Sequence, residues 1–262
     1  MSQLFQLQLA TENLAANAEQ LGVSVSQLLA IQVTVSATLM PQSTLQLYLN
    51  YKIQLPSQYL ADQLNWPKWQ QQQVKFTDYL WEQTCLECFI ASQLKPVANA
   101  TTTIEYPTGY IEINASPSGS YAVYEFNSYR QPSSLPPNPL LQPNGEQRVD
   151  INWPIYPTSQ SKRSIQSLLK SDSNINIESS TVSHPFTSNG NTDHAYECGF
   201  SVDLDQLTMT TTKADEMSLN HNIGLLHPCV ILSFDKVALY FAPRHATPPD
   251  FHQRQYWTAF NQ

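Results

Sequence analysis

Two acidic, aromatic segments hold the residues best suited to chemistry. DYLWEQTCLECFI at 78–90 carries Trp81 and Glu87, and GYIEINASPSGSYAVYEFNSYR at 109–130 carries Glu112, Asn114, Glu125 and Arg130. A sugar presents a flat C–H face and a rim of hydroxyls. Aromatic rings cover the face, while carboxylates, amides and guanidinium groups hydrogen-bond the rim, with charge strengthening those bonds. Trp81, Glu87, Glu112, Asn114 and Arg130 are therefore the candidate ligand-binding residues. Each also has a structural role open to it. Trp81 can pack on the core or its rim. Glu87 can sit on a solvated face or in a carboxylate pair under a loop. Asn114 can cap the turn that follows it, and Arg130 can clamp Glu112 or Glu125.

No residue is assigned a catalytic role. G-x-S-x-G is absent. Glu87 and Glu112 form an acid/base pair only in the alternative of a glycoside-active enzyme, which requires a defined separation of the two carboxyl groups. No metal or cofactor is assigned either. Cys85 and Cys88 form a C-x-x-C, but within an apolar strand pattern their side chains face opposite ways. A zinc site needs two further ligands, and Cys198 and Cys229 stand apart from each other, so all four thiols read as buried. Haem is a further alternative. His245 is its candidate axial ligand, with Met209 or Met217 as a second by residue type alone.

These residues need strands to position them. Glu112 and Asn114 share the face opposite Ile111, Ile113 and Ala115, and a continuous strand over 80–90 turns Trp81 and Glu87 the same way. Clean alternation runs through Ile31, Val33, Val35, Ala37 and Leu39. It recurs at Leu45, Leu47, Leu49, Tyr51, Ile53 and Leu55, which predicts a hairpin turning at 41–43. Further strands are expected at 5–9, 104–115, 121–129, Tyr196–Val202 and Val230–Phe241, with a turn at 117–119. Residues 12–30 and 59–73 read as loop or short helix, the second broken by Pro67 between Trp66 and Trp69. The fold class is all-β: a single antiparallel β-sandwich over 1–262, with long loops and a polar Pro/Ser/Asn-rich insertion at about 131–195.

Composition narrows the partners. Only 13% of residues are charged, so Gln, Asn, Ser and Thr must cover much of the surface. A net charge of -8 and scattered Lys and Arg exclude nucleic acid as the main partner. No stretch is long and apolar enough for membrane insertion. No secretion signal is legible in the first twenty residues, and with the unpaired cysteines this gives a cytoplasmic expectation.

The quoted blocks resemble the bacterial DOMON-like family, which is related to the type 9 carbohydrate-binding modules. Leu80-Trp81 and Thr84-Cys85-Leu86-Glu87 match its L-W and T-C-x-E. Glu112 and Asn114 match its E-x-N, Tyr129-Arg130 its Y-R, and 239–245 with 249–252 its closing block. Tyr121 and Phe241 stand where that family commonly has Trp, and Leu86 replaces an aromatic. The resemblance implies a β-sandwich of sugar-binding ancestry, in a group whose domains take sugars or haem. The resulting expectation is a non-catalytic carbohydrate- or small-molecule-binding domain, with a mono- or oligosaccharide as partner. A protein-interaction or structural sandwich without a small-molecule site is the second reading.

Overall fold

The computed structural model describes residues 1–41, 43–92, 108–154, 194–209, 217–218, 223–235 and 237–260. The strands in chain order are β1 (Ser2–Leu9), β2 (Gln32–Pro41), β3 (Leu45–Gln54), β4 (Cys85–Ser92), β5 (Tyr110–Ala115) and β6 (Tyr121–Phe126). They continue with β7 (Ala195–Asp203), β8 (Thr208–Met209), β9 (Met217–Ser218), β10 (Ile223–Phe234), β11 (Val237–Ala242) and β12 (Thr258–Ala259). Short helices α1 (Leu14–Leu21), α2 (Val25–Leu29) and α3 (Gln58–Gln63) occupy the two segments that lack strand alternation. Ten of these strands form one curled antiparallel sheet in the order β6-β5-β4-β10-β11-β1-β2-β3-β7, with β12 alongside β10, and β8 and β9 pair as a separate two-stranded ribbon. The architecture is all-β and sandwich-like.

The curl comes from β1. Its residues from Ser2 to Leu7 pair with β2, while Gln8 and Leu9 pair with β11. One strand thus joins a half made of β1, β2, β3 and β7 to a half made of β11, β10, β4, β5 and β6. The predicted hairpin pairs Val35 with Tyr51 and Ala37 with Leu49. Its alternating set (Val33, Val35, Leu47, Leu49, Tyr51, Ile53) is fully buried and meets Leu86, Ile90, Ile111, Ile113, Val230 and Phe241 of the other half. Period-two burial on one face is what antiparallel strands with one wet side produce.

The run Val230–Phe241 is not one strand. Asp235, with φ 33, turns the chain, and Phe234 pairs with Val237 to make the β10–β11 hairpin. The first part of the expected insertion belongs to the fold. Leu140, Val149 and Ile151 are in the main core, and backbone bridges tie Pro139 to Tyr124 and Asn152 to Ser201. Residues 155–193 lie outside the described residues.

All four cysteines are free and buried, with Cys85 and Cys88 on opposite faces of β4, in separate apolar clusters. Burial pushes each thiol above its ordinary range. A thiol-reactive dye is therefore expected to leave the native protein unlabelled and to titrate all four cysteines after unfolding in guanidinium. Rapid labelling of the native state would contradict the burial.

Candidate ligand-binding site

β4 and β5 are buried along their whole length, on both faces. One face supplies the main core. The other carries Cys85, Phe89 and Tyr110 in a second apolar cluster, with Glu87, Glu112 and Asn114 among them. The ladder pairs Glu87 with Asn114, Phe89 with Glu112, and Glu112 with Tyr124. Glu87 and Glu112 are therefore diagonal neighbours on one sheet face, within reach of each other's long side chains.

This face lines a cavity of about 380 Å³. Glu87, Phe89 and Glu112 come from the strands beneath it, and Trp81, Phe126, Ile231 and Tyr240 from around it. Two segments complete the lining: Arg130 to Pro137, and Pro249 to His252. Arg130 and Asp250 tie these two lips together through a 2.9 Å ion pair, and the Tyr129 hydroxyl donates to the same carboxylate. Asp250 also accepts the His252 backbone N–H at 3.0 Å, which fixes the turn that delivers His252.

The two glutamates are 3% and 5% exposed. Asn114 Nδ2 donates to Glu112 Oε1 at 2.7 Å, and Asn114 Oδ1 faces the Cys85 thiol at 3.7 Å. Burial, and then the charge of Glu112, pushes the Glu87 carboxyl well above the usual carboxylate range. Burial also raises Glu112, to about 7, against the opposing pull of Asn114 and Arg130. His252 moves the other way, to about 4, because burial and the Arg130 charge disfavour imidazolium. Its Nε2 stands 3.7 Å from Glu112 Oε2. Its Nδ1 is 2.7 Å from the Tyr110 hydroxyl, which accepts the Arg130 backbone N–H at 3.1 Å. Tyr110 can give its own proton to Nδ1, and that tautomer puts the imidazole N–H on Nε2, toward Glu112. At neutral pH the site holds two acids competing for ionisation beside a neutral histidine.

The chain matches no family model, no curated protein and no solved structure.

Four of the five candidate residues, Trp81, Glu87, Glu112 and Arg130, line this one cavity, and Asn114 stands behind Glu112. Three details differ from expectation. Trp81 is not on a strand. Leu80–Glu82 is a 3₁₀ turn entered through a left-handed Tyr79, and β4 begins only at Cys85. The cause is Thr84, whose hydroxyl donates to the Asn65 carbonyl at 2.6 Å and accepts the Ser233 N–H at 3.1 Å, drawing the chain off the ladder. Arg130 pairs with Asp250, not with Glu112 or Glu125. Asn114 does not cap the following turn. That turn is held by Ser116 and by Gly119, at φ 109, where a Cβ would meet Val74 and the Gln70 carbonyl.

His252 went unchosen in the sequence, where His245 was the histidine singled out. His245 bonds the Gln8 carbonyl at 2.7 Å and does not line the cavity. The side chains of Met209 and Met217 lie outside the described residues. The aromatic walls also went unchosen, although Phe89 has the parity of Glu87 and was legible by that signal. Among the described residues no cluster of metal-ligating side chains occurs, and no helix is long and apolar enough to cross a membrane.

Proposed function

We propose that this chain is a non-catalytic domain that binds a small carbohydrate or a related polyhydroxylated molecule in the cavity over β4 and β5. The observation that carries this reading is one cavity of about 380 Å³ that combines aromatic walls with two buried carboxyl groups. Its size falls within the range of ordinary ligand pockets and suits a mono- or disaccharide. Burying two carboxyls in a protein interior is costly, and functional sites are where such strain is kept. A DOMON-like kinship, with its β-sandwich and sugar-binding ancestry, would fit the same picture. The four unpaired thiols support a reducing compartment such as the cytoplasm.

The test is thermal shift followed by calorimetry against mono-, di- and amino sugars. Saturable stabilisation is expected, weakened about tenfold or more by Trp81→Ala. Trp81 is only partly buried, edge-on to Tyr79 and Tyr124, so that variant should stay folded. No heat and no shift with any sugar would sink the reading and favour an interaction domain. Paired carboxyls also serve glycoside hydrolysis. The raised Glu112 beside Glu87 favours that as the second reading, and release of nitrophenol from aryl glycosides would establish it.

A further inference from the structure

Resting on the ligand-binding reading, we propose that the ligand carries a protonated amine, and that Glu87 and Glu112 are its counter-charges. The cavity is short of cations and rich in acceptors. Among the described residues lining it, the acids are Glu87, Glu112 and Asp250, and Arg130 spends its charge on Asp250 at 2.9 Å. Asn114 occupies one oxygen of Glu112, and the other is 3.7 Å from His252, too far for a hydrogen bond. The Glu87 side chain, 3% exposed and directed into the cavity, has the Cys85 thiol, a weak donor, as its side-chain partner.

A carboxylate can accept about four hydrogen bonds. Two such groups that are largely unfilled, side by side and out of water, call for a cation with several N–H donors. A neutral polyol brings no charge to offset carboxyls held out of water, and an ammonium group does. The rings of Trp81, Phe89, Phe126, Tyr240 and Phe251 fit the same guest, since aromatic faces attract ammonium groups. An amino sugar satisfies both the polyol and the cation requirement.

Binding should also be linked to protons. The titratable groups facing the acid pair are Cys85 on β4, Tyr110 on β5, Tyr124 on β6, Cys229 on β10, Tyr51 on β3, and Arg130, Asp250 and His252 from the lips. None of these supplies a free cation to hold both acids ionised, so an arriving ammonium must displace the proton they retain.

The experiment is calorimetry of the full chain with glucosamine, glucose, N-acetylglucosamine and cyclohexylamine, in two buffers of different protonation enthalpy. Glucosamine is expected to bind about ten- to hundredfold tighter than glucose or N-acetylglucosamine, with net proton release. Glu112→Gln should bring the three sugars toward parity. The buffer dependence of the parent protein tests the same point without any variant. Equal binding of the three sugars, or a preference for N-acetylglucosamine, overturns the amine and leaves the sugar reading standing. Cyclohexylamine binding with proton release while every sugar is silent upholds the amine and removes the sugar. Silence from all four overturns both.

Discussion

Glu87→Gln is expected to raise the melting temperature of the unliganded protein at about pH 8 and to change it little at about pH 4. The folded-state pKa of Glu87 lies well above its ordinary value of 4.5 because the group is buried beside Glu112. For a carboxyl shifted upward, the native state holds the proton more tightly than the unfolded chain. Its stabilising contribution is therefore complete below about 4.5 and is lost as pH rises toward the folded value, at about 1.4 kcal/mol per pH unit per proton. Glu112, raised to about 7, adds a loss of the same sign between about pH 4.5 and about pH 7. The parent should thus weaken steadily from about pH 5 to about pH 8, and the amide, which has no charge to desolvate, should flatten the profile. A gain of about 1–3 kcal/mol at pH 8 corresponds to roughly 2–4 °C per kcal/mol in a chain of this size. Melting curves across pH provide the check. A parent stability that is flat with pH, or a variant that melts lower at pH 8, would show that the pair is already compensated. A more stable variant that binds less ligand would be the expected trade between stability and function.

Phe89→Ala should cost about 3–5 kcal/mol, the largest loss expected from any single truncation in this half of the fold. Phe89 is 1% exposed, and its ring centroid lies 5.0 Å from His252, 5.7 Å from Trp257 and 6.4 Å from both Tyr110 and Phe251. Those partners come from β5 and from the closing segment after β11, so one ring fastens the cover of the cavity to its base. Removing it leaves a void between β4 and the closing segment, lined by the same rings. Urea unfolding should show a lower midpoint, and Phe89→Leu should recover most of the loss. A loss under about 1 kcal/mol would mean that the 249–257 segment packs independently of β4.

Much of the sheet was legible because its signal is local. Val33 to Leu39 and Leu45 to Leu55 alternate cleanly on either side of one turn, and Ile111, Glu112, Ile113 and Asn114 alternate apolar with polar, so the face that gathers carboxyls can be read from parity alone. Parity does not reveal what lies over that face. Solvent would have suited Glu112 equally well as a pattern. Only the long-range arrival of Arg130–Pro137 and Pro249–His252 converts a polar stripe into a cavity, and no local spacing encodes that meeting. Trp81 was placed by type but not by backbone, since the Thr84 tether to Asn65 and Ser233 acts across distant parts of the chain. The β10–β11 turn escaped for a different reason. Its turn signal is a single Asp235, which takes the left-handed conformation with no Gly, Pro or Asn beside it to mark the turn.

The divided pairing of β1 also bears on how the protein is born. Gln8 and Leu9 find their ladder partners only at Ala242 and Phe241. During synthesis the hairpin of β2 and β3 can form early against β1, but β1 then offers an open strand edge at its far end until β11 emerges. Closure is a non-local event, the kind that slows folding, and the waiting edge is a template for mispairing with another nascent chain. Ribosome-bound fragments ending before β11 should accordingly lean on chaperones, and the sheet should complete itself as one of the last steps of folding.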